Sequence, residues 1–172
     1  PAFFRTGIGF GGSCFPKDVR ALIAGARAHG EDLMILRAVL EVNEKQPKKL
    51  LSLLQRHIPD LQGKIIGVLG LAFKPNTDDI RESRAVPIVA GLLAAGARVV
   101  AYDPAAMENF RRIFPQITYV PAPGEVLGAD AILILTEWEE FEELDYRGRI
   151  VIDGRRLEKA KAEAAVYEGV CW

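Results

Sequence analysis

Residues 7–18, with the sequence GIGFGGSCFPKD, place four glycines before a cysteine, a lysine and an aspartate. Glycine lets a backbone approach a ligand closely and leaves its N–H groups free to bind. Pro16 suits the first turn of a helix, so the pattern predicts Cys14 at or just before the positive helix end, beside Lys17. Both features favour the thiolate, which is the nucleophilic form of cysteine. Asp18 is near enough in sequence to handle a proton or to orient a water molecule.

The same residues have a plainer interpretation. Cys14 would be an inert cysteine in a turn, and Asp18 would be an acidic residue at a helix N-terminus. The residues alone leave both interpretations open. The other cysteine is Cys171, and two cysteines are too few for a disulfide framework, so we expect no bridge and a reducing, cytoplasmic setting.

From Gly63 onward the chain alternates short apolar runs with helical patterns. The runs KIIGVLGLAF, ARVVAYDP, ITYV, AILILT and RIVIDG predict five strands, and VYEGVCW is a candidate sixth. Among the helices between them, EWEEFEEL is predicted to begin at a capping box formed by Thr136 and Glu139. This alternation predicts an α/β fold with a Rossmann-like, doubly wound parallel sheet.

Charged residues follow the first two predicted strands, where ligands bind in such sheets. Lys74 and Arg81 could hold a phosphate group near a helix N-terminus. Asp103 could bind a ribose, although in Asp103-Pro104 a turn and helix cap is the stronger interpretation. The segment GVLGLA is not G-x-G-x-x-G, so a dinucleotide fingerprint is weak here, and a solvated loop remains open for Lys74 and Arg81.

Residues 1–60 form a separate predicted segment, which is helical and precedes the sheet domain of residues 61–172. One helix is expected from about Pro16 to just before Gly30. A longer apolar periodicity spans residues 32–58, where Pro47 would kink one long helix or divide it into two packed helices.

The composition excludes some classes of protein. The net charge of -1 argues against nucleic-acid and membrane-surface binding, and no apolar run is long enough to span a bilayer. The chain begins at Pro1 with neither methionine nor a signal-peptide pattern, so we expect a truncated piece of a longer protein, with a processed mature N-terminus as the alternative.

Two stretches together carry a resemblance to a known family. GIGFGGSCFPKDVRAL, followed by GVLGLAFKPNTDDIRESRA and later by VIDGRR, resembles the UDP-glucose/GDP-mannose dehydrogenase family over the whole chain. The resemblance implies oxidation of the sugar C6 alcohol of a nucleotide sugar, with UDP-glucose favoured, to the uronic acid. Two NAD would be reduced in each turnover, through a thiohemiacetal and a thioester on Cys14.

The resemblance also implies roles for individual residues. Cys14 matches the catalytic nucleophile, and Asp18 matches an aspartate that assists proton transfer and hydrolysis. Lys17 and Arg81 match residues that contact NAD. The positions that match the substrate-binding residues of the family are Phe3, Phe4, Arg5, Thr6, Gly7, Gly11, Phe73, Lys74 and Arg155.

The chain departs from the family pattern in its first half. The family's N-terminal NAD-binding domain, with its G-x-G-x-x-G, and its catalytic lysine have no counterpart here. We therefore expect the chain alone to be inactive, its Rossmann-like domain to hold the UDP end of the substrate, and residues 32–58 to form a homodimer. Two alternatives are a dehydrogenase for GDP-mannose or another UDP-sugar, and a non-catalytic nucleotide-binding or dimerisation module.

Overall fold

The computed structural model of the chain describes residues 6–171. Two helices come first, α1 (Phe15–Ala28) and α2 (Met34–His57). Gly30 follows α1 with φ of 79° and donates its N–H to the carbonyl of Arg27, so it ends the helix as predicted. Helix α2 continues through Pro47, so the long helix forms and two separate helices do not. Burial of Pro47 and of the leucines after it stabilises this continuous helix.

A parallel sheet of six strands follows. Its strands are β1 (Ile65–Leu69), β2 (Arg98–Tyr102), β3 (Thr118–Tyr119), β4 (Ala131–Ile134), β5 (Ile150–Asp153) and β6 (Val166–Gly169). They lie in the order β3-β2-β1-β4-β5-β6, and every neighbouring pair is parallel. This order reverses direction between β1 and β4, which makes the sheet doubly wound and confirms the predicted fold class.

Short helices connect the strands. The α-helices are α3 (Ala85–Ala94), α4 (Met107–Arg111) and α5 (Glu158–Glu163), and 3₁₀ turns span Pro123–Gly128 and Glu139–Glu143. All four residues of β4 are buried, as expected for a central strand covered on both faces. In the described range of residues 6–171, no helix is both long enough and apolar enough to cross a membrane.

The C-terminal half of α2 packs on the sheet domain. Leu50, Leu53 and Leu54 are buried in the same apolar cluster as Val68 of β1 and Ile88 of α3. Helix α2 therefore joins the segment that carries the cysteine to the sheet. The division of the chain at residue 60 stays a prediction.

The helix predicted for EWEEFEEL is wrong in type. The structure has a 3₁₀ turn at Glu139–Glu143, with Trp138 at its start and no side-chain cap. Thr136 is fully buried, and its Oγ1 donates to the carbonyl oxygen of Ala72 at 2.6 Å. The hydroxyl that the predicted capping box required is thus bound to the loop after β1.

Candidate active site

A cleft of about 630 Å³ opens between the glycine-rich loop and the sheet. Phe73 follows β1, Glu137 follows β4 and Arg155 follows β5, so the cleft lies at the carboxyl ends of the central strands, where such sheets bind ligands. Its lining consists of Thr6, Gly7, Gly9, Phe10, Gly11, Gly12, Ser13, Cys14, Phe15, Gln46, Phe73, Lys74, Glu137, Arg155 and Cys171.

The glycines allow the loop to dock on other backbone. A Cβ on Gly11 would lie 2.2 Å from the carbonyl oxygen of Glu82, and one on Gly7 would lie 2.4 Å from that of Gly154. The N–H of Gly12 donates to the carbonyl of Arg81 at 2.9 Å. The glycines were predicted to let the backbone approach a ligand. In the structure they let one side of the loop approach the backbone of the sheet domain, and these contacts hold the loop on that domain.

Cys14 lies where its sequence context predicts. It is the N-cap residue of α1, its thiol is free and exposed, and its Sγ is 3.7 Å from the Ser13 hydroxyl. Cys14 therefore lies at the positive end of the α1 macrodipole.

Lys17 and Asp18 lie on the first turns of α1, beside the cleft, and are not part of its lining. The Lys17 Nζ is 3.1 Å from Asp18 Oδ1, and both side chains are exposed. The hydrogen bond to Asp18 and the charge of Asp18 raise the pKa of Lys17, and Cys14 raises it by a smaller amount. In this arrangement the carboxylate binds a lysine, so a role for Asp18 in moving a proton requires Lys17 to release it.

Arg81 is also near Cys14 and is held by a carboxylate. Its Nε is 3.0 Å from both oxygens of Asp79, and its Nη2 donates to Asp79 Oδ2 at 2.7 Å. The pKa of Arg81 is raised, first by the hydrogen bond and charge of Asp79 and least by Cys14. Its exposed guanidinium group is thus oriented by Asp79 and still faces solvent.

Lys74 and Arg155 supply the positive charge of the cleft. The Lys74 ammonium lies 5.8 Å from the centre of the Phe73 ring. The Arg155 side chain is 18% exposed, and its Nε donates to the carbonyl of Leu135 at 2.7 Å and lies 3.3 Å from Glu137 Oε2. Burial lowers the pKa of Arg155, and the nearby carboxylates of Glu137 and Asp153 oppose that effect. An ammonium, a guanidinium and an aromatic ring in one cleft suit an anion that carries a planar group.

Asp103 does not face this cleft. It is fully buried, and its Oδ2 accepts from the backbone N–H groups of Leu71 and Ala72 and from the indole of Trp138. Its Oδ1 accepts from two further backbone N–H groups at the turn into α4. The ribose interpretation of Asp103 is therefore wrong. The turn interpretation is confirmed, but the N-cap of α4 is Ala106 and has no side-chain cap.

Several residues of the site are not predicted from the sequence. Asn43 and Gln46 of α2 contact the glycine-rich loop, and Gln46 Nε2 lies 3.3 Å from the carbonyl oxygen of Gly7 and 3.4 Å from Cys171 Sγ. Glu137 and Cys171 also line the cleft. The only sequence signal was a pair of amides three residues apart on α2. The predicted substrate residues Phe3, Phe4 and Arg5 lie outside the described residues.

Two family models match the chain. The model of the central domain of the UDP-glucose/GDP-mannose dehydrogenase family matches residues 1–45. The model of the UDP-binding domain of the same family matches residues 67–160. The chain belongs to the UDP-glucose/GDP-mannose dehydrogenase family. The resemblance given by the glycine-rich and FKPNTDD segments is thereby confirmed.

Individual relatives of the family agree with the models. The chain is 51% identical to UDP-glucose 6-dehydrogenase AglM of Haloferax volcanii, over 98% of this chain and 40% of that protein. It is 38% identical to UDP-glucose 6-dehydrogenase TuaD of Bacillus subtilis, over 98% of this chain and 39% of that protein. The chain therefore spans about two fifths of the length of these relatives.

Solved structures of family members have the same fold. A UDP-glucose dehydrogenase from Pyrobaculum islandicum superimposes with a TM-score of 0.93 at 49% identity, covering 96% of this chain and 39% of that one. A GDP-mannose dehydrogenase from Pseudomonas aeruginosa superimposes with a TM-score of 0.84 at 28% identity, covering 99% of this chain and 41% of that one. Family members with different nucleotide sugars in their names thus share this architecture.

Proposed function

We propose that this chain is the nucleotide-sugar-binding and nucleophile-bearing part of a UDP-glucose 6-dehydrogenase. The observation that carries the proposal is the meeting of Cys14, Lys74 and Arg155 in one cleft at the carboxyl ends of β1 and β5. Lys74 and Arg155 bind the diphosphate, and Phe73 packs beside the base. The sugar then extends toward the glycine-rich loop and Cys14. We infer a cytoplasmic location from the free thiols that this chemistry requires.

The chain's own residues account for the covalent steps. The Cys14 thiolate adds to the C6 aldehyde, whose oxygen takes up a proton from solvent, and forms a thiohemiacetal. Loss of the C6 hydride and of that proton then gives a thioester. Water attacks the thioester carbonyl, the C–S bond breaks, and the thiolate and the carboxylate of the uronic acid are released. Asp18 accepts one proton of that water after it separates from Lys17, and the second proton passes to solvent.

The oxidations require NAD, which when bound would supply the hydride acceptor for both of them. Lys17 and Arg81 fit a part of that cofactor, because both are exposed cations near Cys14. The segment after β1 is GLAFKP and lacks the glycine spacing of a dinucleotide site. We therefore propose that a separate N-terminal domain holds most of the cofactor and that this chain alone does not turn over.

A calorimetric titration of the chain with UDP, and in parallel with GDP, tests the substrate assignment. We expect UDP to bind more tightly than GDP and the Lys74→Ala variant to weaken UDP binding at least about tenfold, since a charged hydrogen bond to phosphate is lost. The control is Lys161→Ala, an exposed lysine on α5 that should leave UDP binding unchanged.

Other outcomes of this titration have definite meanings. A preference for GDP would transfer the assignment to GDP-mannose. Binding of neither nucleotide would show that the site needs the N-terminal domain, and the chain alone would then be a scaffold and dimerisation module. An equal loss in both lysine variants would contradict the role given to Lys74.

Homodimer formation through α2 is a further part of the proposal. Large apolar side chains are exposed on α2, and Ile35 is 80% and Met34 66% exposed. Exposed apolar side chains clustered on one element indicate an interaction surface. A symmetric contact between two copies of α2 would bury them.

Light scattering tests the dimer. The chain is expected to have twice its monomer mass, and Ile35→Glu is expected to give the monomer, because a charge in an apolar interface is not solvated. The control is Ile113→Glu, since Ile113 is also exposed but follows α4. A monomer mass for the unsubstituted chain, or a dimer that persists in Ile35→Glu, would contradict an α2 interface.

A further inference from the structure

Asn43 binds the glycine-rich loop through both ends of its amide. It lies on α2 and is 6% exposed. The N–H of Phe10 donates to Asn43 Oδ1 at 2.7 Å, and Asn43 Nδ2 donates to the carbonyl oxygen of Phe10 at 3.0 Å. One side chain thus provides hydrogen-bond partners for both the N–H and the C=O of Phe10. In a sheet, a neighbouring strand would provide these partners.

The contacts of Phe10 connect this amide to the cysteine. The Phe10 ring packs edge-on against the Phe15 ring, with 5.2 Å between the ring centres. Phe15 is the first residue of α1 and directly follows Cys14, and all three residues line the cleft. Phe10 is therefore linked through Phe15 to the residue that follows Cys14 in the chain.

The loop is shaped to accept the amide at this point. Gly9 has φ of 104°, and a Cβ there would lie 2.3 Å from Asn43 Oδ1. One turn further along α2, Gln46 Nε2 donates to the carbonyl oxygen of Gly7 at 3.3 Å. Helix α2 thus holds the loop at two places, and the buried Asn43 makes the tighter contact.

We propose that Asn43 is a positioning residue that fixes the glycine-rich loop so that Cys14 faces the sugar of the bound nucleotide. This inference rests on the proposed function. Asn43 acts through Phe10 and Phe15 and does not itself contact the reacting atoms. Without the amide, the Phe10 ring would leave Phe15, and the thiol would be both more open and less well oriented.

The rate at which iodoacetamide alkylates Cys14 tests the proposal in the free chain. All variants carry Cys171→Ser, so that a single thiol reacts. The Cys14 thiol is already exposed, and the Phe10 and Phe15 rings line the same cleft. We expect Asn43→Ala to accelerate alkylation at least about threefold, because the two rings, no longer held in contact, restrict the approach of iodoacetamide to the thiol less. Asn43→Asp, which keeps the acceptor for the Phe10 N–H and loses the donor, should give a smaller acceleration, and it decides the question if Asn43→Ala does not fold.

The matched control is Asn109→Ala. Asn109 also uses its amide for two hydrogen bonds, to the carbonyl oxygen and the carboxylate of Asp78, but it is only half-buried and belongs to α4. It should leave the alkylation rate unchanged. An alkylation rate in Asn43→Ala and Asn43→Asp equal to that of the chain with Cys171→Ser alone, even with lowered thermal stability, would overturn the proposal in favour of a purely structural role.

Binding of UDP and UDP-glucose separates positioning from a general loss of structure. Asn43→Ala is expected to weaken UDP-glucose binding at least about threefold and to leave UDP binding unchanged, because only the sugar reaches the loop. Equal weakening of both ligands would overturn the proposal. If the unsubstituted chain binds neither ligand, the proposed binding function of the isolated chain fails, and the alkylation rates alone decide the role of Asn43.

Discussion

Replacing Asp103 by alanine is expected to lower the free energy of unfolding by about 3–5 kcal/mol. The fully buried carboxylate accepts two N–H groups from the loop after β1, two from the start of α4, and the indole N–H of Trp138. Alanine would leave these donors without partners inside the protein. Since domains are stable by roughly 5–15 kcal/mol, such a loss would bring the chain close to unfolding.

Urea denaturation followed by circular dichroism measures this effect. Asp103→Asn should lose less, because one oxygen remains while the amide nitrogen faces the donors that the second oxygen served. Asp60→Ala is the control, since Asp60 is exposed and accepts a single N–H from Gln62, so its loss should be below about 1 kcal/mol. A stable Asp103→Ala variant with weakened nucleotide binding would contradict this assignment and restore the ribose role.

The sequence was sufficient for the architecture because burial imposes local patterns. The run AILI is apolar throughout, as a central parallel strand must be, and all four residues are buried in β4. Gly30 ends α1 because glycine adopts the left-handed backbone easily. Each of these patterns lies within a few residues, so the sequence predicts the strand and the helix end without knowledge of the rest of the fold.

The parts of the site that the sequence could not reveal depend on distant contacts. Asn43 and Phe10 are separated by 33 positions, and the residues around either one do not predict the contact between them. Thr136 has the spacing of a capping box with Glu139, but its hydroxyl binds Ala72, 64 positions away. Tertiary hydrogen bonds therefore override local preference at the points where loops meet.

Residues 14–18 include one position that the sequence predicted and one side-chain contact that it did not predict. Their sequence placed Cys14 at the start of a helix, and the structure has it as the N-cap of α1. Their sequence also allows Asp18 to handle a proton or to orient a water molecule, whereas the Asp18 carboxylate lies 3.1 Å from the Lys17 ammonium. Local residue types determine that α1 begins after Cys14. The direction of the exposed Asp18 side chain depends on its contact with the neighbouring Lys17 ammonium.

Replacing Cys14 by serine is expected to reduce NAD-dependent oxidation of UDP-glucose on the order of 10³-fold or more, the scale of losing a covalent nucleophile. An alcohol is a much weaker acid and a much poorer nucleophile at neutral pH than a thiol, so serine does not replace the cysteine in the covalent step. The assay uses a chimera in which the N-terminal portion of the Haloferax volcanii relative precedes this chain, because 51% identity over the matched region favours a productive joint.

The same assay contains its controls. The chain without the added portion should reduce no NAD, and Cys14→Ser in the chimera should still bind UDP, since Lys74 and Arg155 are untouched. Cys171→Ser should cost far less than Cys14→Ser, because Cys171 Sγ is 3.6 Å from the Gly7 carbonyl oxygen and lies at no helix N-terminus. Full activity in the Cys14→Ser chimera would show that the oxidation does not pass through a thioester on this residue, and NAD reduction by the chain alone would show that it holds the cofactor without a separate domain.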